Sequence, residues 1–417
     1  MTSINKTNHW TIFLSNNTDK NSFVERILKG RANDNFSLFN NQKGVLFSLI
    51  TLNEFIEEDE RHEEWLLSKE YNRGIRNLSS GEQKKALLNY LLNQKPDFII
   101  LDNPFDNLDL AAQKSLKILI EEISTSISIL LLISRNRDYL PFITNCAILE
   151  ENKIEFIEDI DIYLQNHQEL IIDSFKTIPK PLIEYNLDNS ELVSFKNVTV
   201  RYEERVIVKN INWTINQGEF WQLIGPNGSG KTTLLTMING DNPKAYNQDL
   251  TLFGRRKGTG ETVWEIKQKI GYLTPAMTEL FSTLHTLEEM IVSGFLDSIG
   301  LYKYPTDIQL RLANEWLDII ELSHLKHKPF CKLSLGQQRL ALVARAMVKH
   351  PPILILDEAM SGLDDHNAGI AISLINKIAA ESKTAILYVS HRSEEGLAAK
   401  NIFELIPSEN GSIGIIR

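Results

Sequence analysis

Nine consecutive residues, Gly225-Pro226-Asn227-Gly228-Ser229-Gly230-Lys231-Thr232-Thr233, have the types and spacing needed to hold phosphate. Gly225, Gly228 and Gly230 let the backbone turn tightly, so that the amides from Asn227 through Ser229 to Thr233 can face phosphate oxygens. A helix starting near Lys231 adds its positive dipole end. Lys231 has the reach for the β- and γ-phosphates of a nucleotide, and the Thr232 hydroxyl suits Mg²⁺. A second constellation lies further on, where the apolar run Ile353-Leu354-Ile355-Leu356 ends in Asp357-Glu358. Hydrolysis of a phosphoanhydride needs one carboxylate to hold the metal and another beside it to position water, and Asp357 and Glu358 suit those roles in that order.

The elements that must carry these groups are short. Glu219 to Ile224 reads as a strand leading into the glycine loop, and Ile353 to Leu356 has the length and composition of a buried parallel strand. Val193 to Val200 and Arg205 to Ile215 read as two further strands. Gly294 to Gly300 and Asp307 to Ile320 look like parts of a helical insert. The expected class is α/β.

A chain of 417 residues holds two or three cores. Its formal charge of −10 argues against naked nucleic acid or an anionic membrane as the main partner, because both reward a basic surface. Cys146 and Cys331 are the only cysteines, which fits a reducing cytoplasm better than a disulfide scaffold. His324, His327 and Cys331 have loosely ligand-like spacing, but without a fourth ligand they read as surface or packing residues. The polar start of the chain is expected to be no secretory signal, and the apolar runs Ile127 to Ile133 and Ala385 to Val389 are too short to span a bilayer. The location expected is the cytoplasm, with any peripheral place at the inner face of the cell membrane supplied by a partner.

The chain repeats itself. Leu78-Ser79-Ser80-Gly81-Glu82 matches Leu333-Ser334-Leu335-Gly336-Gln337, and Phe98 to Asp102 matches Ile353 to Asp357, both at an offset of 255 positions. Asp106 to Asp109 falls on Ser361 to Asp364 without a gap, and Ser134-Arg135 lies opposite Ser390-His391. Trp10 to Ile27 aligns with Trp221 to Ile238, which sets Lys20 opposite Lys231. The first loop has decayed, since Leu14, Asn17 and Asp19 stand at the three glycine positions and Asn21 at that of Thr232. Asn103 stands opposite Glu358, and an amide cannot serve as a general base. The first copy is also shorter between loop and signature, so it is expected to be truncated. Residues 1–150 are thus expected to form a degenerate domain and 191–417 a complete one. The stretch 151–190, acidic and with Pro179 and Pro181, is expected to link them.

These motifs resemble those of ATP-binding cassette (ABC) ATPases, a P-loop NTPase family. Gly225 to Thr233 is similar to the family's Walker A loop, Ile353 to Glu358 to its Walker B strand, and Leu333 to Gln337 to its signature. Ser361 to Asp364 resembles the D-loop. The resemblance implies two fused nucleotide-binding domains with mixed-sheet cores plus antiparallel β and helical subdomains, and ATP with Mg²⁺ as the cofactors. It implies that Tyr202 stacks on adenine, that Asp357 helps Thr232 hold Mg²⁺, that Glu358 polarises water and that His391 contacts the γ-phosphate. In this family two cassettes close head to tail. The complete site would then be finished by Ser79 and Gly81 of the first copy, and the opposite site would be degenerate.

Within the family the resemblance points to tandem-cassette proteins associated by their labels with molybdate uptake or DNA photorepair. It is carried by Leu250 to Arg256, Gly294 to Gly300 and Gly336 to Leu342. Pro275 stands where a Q-loop glutamine would follow Gly271-Tyr272-Leu273, and in transporters that loop contacts the membrane subunit. Three functions therefore compete. One is an ATPase subunit that energises an oxyanion importer through a membrane permease. Another is a nucleotide-controlled module acting on the ribosome, DNA or DNA-repair proteins, for which Arg255-Arg256-Lys257 and Arg73 with Arg76 are the local basic candidates. The third is a nucleotide sensor with little turnover, against which Glu358 and His391 weigh.

Overall fold

A computed structural model describes residues 7–15, 18–62, 67, 74–150, 153–166, 176–185, 190–281, 284–391 and 393–417. Asn17 and Arg73 lie outside the described residues, as does much of the acidic stretch. The chain forms two compact units, Met1–Glu169 with Gly362–His366 and Leu170–Ser361 with Asn367–Arg417.

The first unit is built on a six-stranded sheet. Its strands are β1 (Trp10–Leu14), β2 (Gly44–Phe47), β3 (Phe98–Asp102), β4 (Ser128–Ile133), β5 (Asn145–Glu150) and β6 (Lys153–Ile157), in the order β2-β3-β4-β1-β5-β6. All neighbours are parallel except β5 and β6. β6 and the helix Ile160–Asn166 fall inside the stretch expected to be linker. Glu155 and Asp161 within them, with Glu158 and Asp159 between them, give the stretch a solvated composition, yet the alternation of Ile154 and Phe156 suits an edge strand paired with β5.

The second unit carries two sheets. A four-stranded antiparallel one joins β7 (Glu191–Tyr202), β8 (Arg205–Asn216), β10 (Leu250–Leu252) and β11 (Arg255–Arg256) in the order β11-β10-β7-β8. The other has β9 (Phe220–Ile224), β12 (Ile270–Leu273), β13 (Ile353–Asp357), β14 (Ala385–Ser390), β15 (Asn401–Ile406) and β16 (Ile413–Ile416), ordered β12-β13-β14-β9-β15-β16. That is the order of the first unit's sheet strand for strand, so the duplication read from short motifs extends to topology. Strands β13 and β14 are buried on both faces, which explains their unbroken aliphatic runs. The helical insert contains Leu287–Val292 and Asp307–Ile319, each opened by a capping box, at Thr286 and Thr306. Among the described residues the first unit has no antiparallel counterpart to β7–β11. No described helix is long and apolar enough to cross a membrane.

Candidate nucleotide site

β9 lies inside its sheet between β14 and β15. A strand in that position delivers the following loop, Gly225 to Gly230, to the carboxyl end of the sheet, where open α/β sheets hold their ligands. The helix Lys231–Ile238 then starts directly from Gly230, whose φ of 100° is one a side chain resists. A Cβ there would lie 2.5 Å from Val208 Cγ1, and a Cβ at Gly225 would lie 2.8 Å from the Leu405 carbonyl oxygen. Both glycines are thus required by close approach as well as by the turn. Lys231 is folded back into this loop, where its Nζ donates to the carbonyls of Gly225 at 2.6 Å and Pro226 at 3.1 Å.

β13, next to β14, brings Asp357 to the same end of the sheet. Glu358 follows with φ of 46°, and its N–H donates to the Val389 carbonyl at 2.9 Å. A glutamate in the left-handed region is strained backbone of the kind that accumulates at functional sites. Asn227, Gly228, Gly230, Lys231, Thr232, Thr233, Asp357 and Glu358 line one cavity of about 490 Å³. Arg205 and Ile207 also line it, and the sequence analysis missed both. Their only signal was position, since they open the strand that pairs back on Tyr202.

Four expected groups of the second unit stand off that lining: Gly225 in the turn described above, Ser229, Tyr202 and His391. Ser229 is buried, and its Oγ is, with the Leu405 carbonyl oxygen, one of the two nearest atoms that would crowd a Cβ at Gly225. Tyr202 is 41% exposed, with its hydroxyl on Asn242 and the Lys244 ammonium 5.7 Å from its ring centre. His391 follows Ser390 at the end of β14 and is half-buried. In the first unit, Ser79 caps the helix Ser80–Asn93 in a capping box with Glu82, and a Cβ at Gly81 would meet Ala112 Cβ at 2.9 Å. Ser334 caps the helix Leu335–Met347 with Gln337 in the same way. The basic triplet is weaker than its sequence suggests, because Lys257 is buried in an ion pair with Glu261 at 3.3 Å.

The carboxylates are electrostatically unfinished. Burial, and then the charge of Glu358, pushes the Asp357 pKa up to about 6 against the opposing pull of Lys231. Burial also raises the pKa of Glu358, with Lys231 and Arg339 opposing. Two half-buried acids facing a single loop lysine suit a divalent cation, so the donor set Asp357 and Thr232 fits Mg²⁺ chemically. A raised folded-state pKa means that Asp357 contributes stability below its unfolded value near 4 and loses it as pH rises through about 6. Mg²⁺ needs the ionised carboxylate and competes with that proton. The Mg²⁺-dependent part of nucleotide affinity is expected to fall about tenfold per pH unit below 6, because one proton competes with one ion. Calorimetric titrations between pH 5 and 7.5 check this, and Asp357→Asn is expected to flatten the dependence.

The first unit treats its equivalents differently. Lys20 forms an ion pair with Asp102 at 2.9 Å. Asn103 has the same left-handed backbone as Glu358, with φ of 44°, which asparagine tolerates. Its amide is engaged at both ends, donating to Asp102 at 3.3 Å and accepting from the Ser134 N–H at 3.0 Å. The cavity over Lys20, Asp102 and Asn103 is about 120 Å³. That lies below the roughly 300 Å³ at which ligand pockets begin.

A family model described as ABC transporter matches residues 208–361. The chain is 38% identical to the ABC transporter ATP-binding protein ModF of Escherichia coli (strain K12), across 78% of this chain and 69% of that one. It is 32% identical to an uncharacterized ABC transporter ATP-binding protein, C323.04, of Schizosaccharomyces pombe, across 78% and 67%. Among solved structures, ABCE1 in a model of ribosome-bound archaeal Pelota and ABCE1 matches 98% of this chain and 74% of its own with a TM-score of 0.64, at 16% identity. The RNase-L inhibitor matches 98% and 85% with a TM-score of 0.61, also at 16% identity.

Proposed function

Because the chain belongs to the ABC family of ATP-binding proteins, we propose that it hydrolyses ATP at one site, on the second unit. The observation that carries this reading is the convergence of Lys231, Thr232, Asp357 and Glu358 on one cavity of about 490 Å³, against an ion-paired lysine and about 120 Å³ at the equivalent place in the first unit.

Lys231 exchanges its loop carbonyls for the β- and γ-phosphates, and the loop amides from Asn227 to Thr233 orient them. Thr232 and Asp357 would hold Mg²⁺, which when bound would neutralise charge on the phosphates. Glu358 orients the attacking water and accepts its proton. Tyr202 stacks on adenine and His391 contacts the γ-phosphate. Ser79 and Gly81 of the first unit are the residues that the family resemblance implies for completing the site, a role that the N-terminus of their helix suits chemically. Phosphate release by the purified chain in Mg²⁺ and ATP tests the proposal, and no release above background contradicts it. Asn103→Ala is expected to change the rate less than twofold, because the Asn103 amide is committed to Asp102 and Ser134.

The work driven by this ATP is proposed to be transport of molybdate or a related oxyanion through a membrane permease, in line with the transporter ATP-binding names of the relatives. Pro275 favours a second reading, a nucleotide-controlled module on the ribosome, DNA or repair proteins. Its carbonyl is engaged by Arg339, and proline offers no side-chain amide to a membrane subunit. A Glu358→Gln chain held with ATP in a native lysate separates the two. Co-purification of a permease subunit supports transport, and co-purification of ribosomes or repair proteins replaces it.

A further inference from the structure

β12 runs parallel to β13 with Leu273 beside Leu356. Pro275 and Glu358, each two positions further on, therefore leave the sheet along adjacent strands. Arg339, in the second turn of the helix Leu335–Met347, is 5% exposed. Its Nη1 donates to the Pro275 carbonyl at 3.3 Å, and its Nε, although buried, has no hydrogen-bond partner among the described residues. A buried donor left unmade is destabilising, so a guanidinium kept there needs a compensating role. That compensation is electrostatic. Glu358 and Arg339 each stabilise the charge of the other, while burial disfavours both.

The first unit also buries a cation at this helix position, although against a different loop. Lys84 occupies the position 255 residues before Arg339. It is buried, and its Nζ donates to the carbonyls of Pro104 at 2.9 Å and Asp106 at 2.6 Å, in the loop that leaves β3. Both units thus place one buried cation from the signature helix against loop backbone at the strand ends. In the second unit that loop precedes the helical insert, and the acid nearby is the one assigned to water.

We propose that Arg339 is a positioning residue for Glu358: it ties the Pro275 backbone to the signature helix and presents its remaining charge to the carboxylate, holding it where water is oriented. The inference rests on the reading of Glu358 given above. Among the described residues Arg339 has no hydrogen bond or ion pair to the phosphate loop and does not line its cavity, so its loss is expected to act on the chemical step and spare ATP binding.

The test is steady-state ATPase kinetics with ATP affinity and thermal melting on the same preparations. Arg339→Gln keeps hydrogen-bonding capacity without charge, and is expected to lower kcat about 10- to 100-fold with KM within twofold, the pattern of a lost transition-state interaction. Arg339→Lys, a residue that the first unit already accommodates at this position, is expected to hold kcat within about fivefold of the parent. In a Glu358→Gln background Arg339→Gln is expected to cost nothing further, since residues acting as a unit are not additive. An unchanged kcat in Arg339→Gln overturns the inference and leaves the ATPase reading standing, whereas a parent chain that releases no phosphate overturns both. Equal loss with and without Glu358 also contradicts the inference. If Arg339→Gln fails to fold, Arg339→Lys decides, and a tenfold fall in its kcat overturns the inference.

Discussion

Glu358→Gln lowers the steady-state ATPase rate about 10²- to 10⁴-fold, the span that a positioned general base contributes, and leaves ATP affinity within a few-fold of the parent. The substitution preserves shape and hydrogen bonding at a strained backbone position, with φ of 46°, that a larger change would disturb. It removes the carboxylate proposed to accept a proton from water, beside the proposed metal ligand Asp357. It also removes the negative charge that helps push the Asp357 pKa up to about 6, so Mg²⁺ binding is expected to hold or tighten. Phosphate release and nucleotide titration on one preparation check both halves. Loss of rate together with loss of ATP binding would mean that Glu358 supports the loop and not the chemistry.

Lys231→Met has the opposite signature. Lys231 is 9% exposed and lines the cavity, and its ammonium is held beside that cavity by the Gly225 and Pro226 carbonyls. Charge-assisted contacts to phosphate are the strong ones, and removing a buried partner costs about 2–5 kcal/mol, so ATP affinity is expected to fall on the order of 100-fold or more. Lys20→Met is the control. Lys20 is ion-paired with Asp102 and about a third exposed, so its removal is expected to leave ATP affinity unchanged and to cost about 1 kcal/mol of stability or less. Titrations of the two variants side by side give the comparison.

The chain announced its phosphate loop and its acid pair because both are local: glycines at a turn, and two carboxylates closing an apolar run. The duplication was legible for the same reason, and it extended to a strand order shared by both six-stranded sheets. What was not legible depends on register. Arg205 and Ile207 reach the cavity because β8 returns beside Tyr202, a pairing that no motif encodes. Arg339 reaches the Pro275 carbonyl, 64 positions away in the chain, just past the end of β12, whose last residue Leu273 pairs with Leu356, 83 positions further on. The edge strand β6 was hidden by its acids, since five residues of alternating pattern are outweighed by the charge of their neighbours. Tyr202 and His391, assigned through resemblance, sit beyond the cavity lining and await nucleotide for their test.

The claim that most needs testing is that one chain holds one productive Mg-ATP. Equilibrium dialysis of Glu358→Gln with Mg²⁺ and labelled ATP, at concentrations well above Kd, counts it directly. The account predicts one ATP per chain, abolished by adding Lys231→Met and kept on adding Lys20→Met. Two ATP per chain, with one lost in each lysine variant, would contradict it and make the first unit a second nucleotide site.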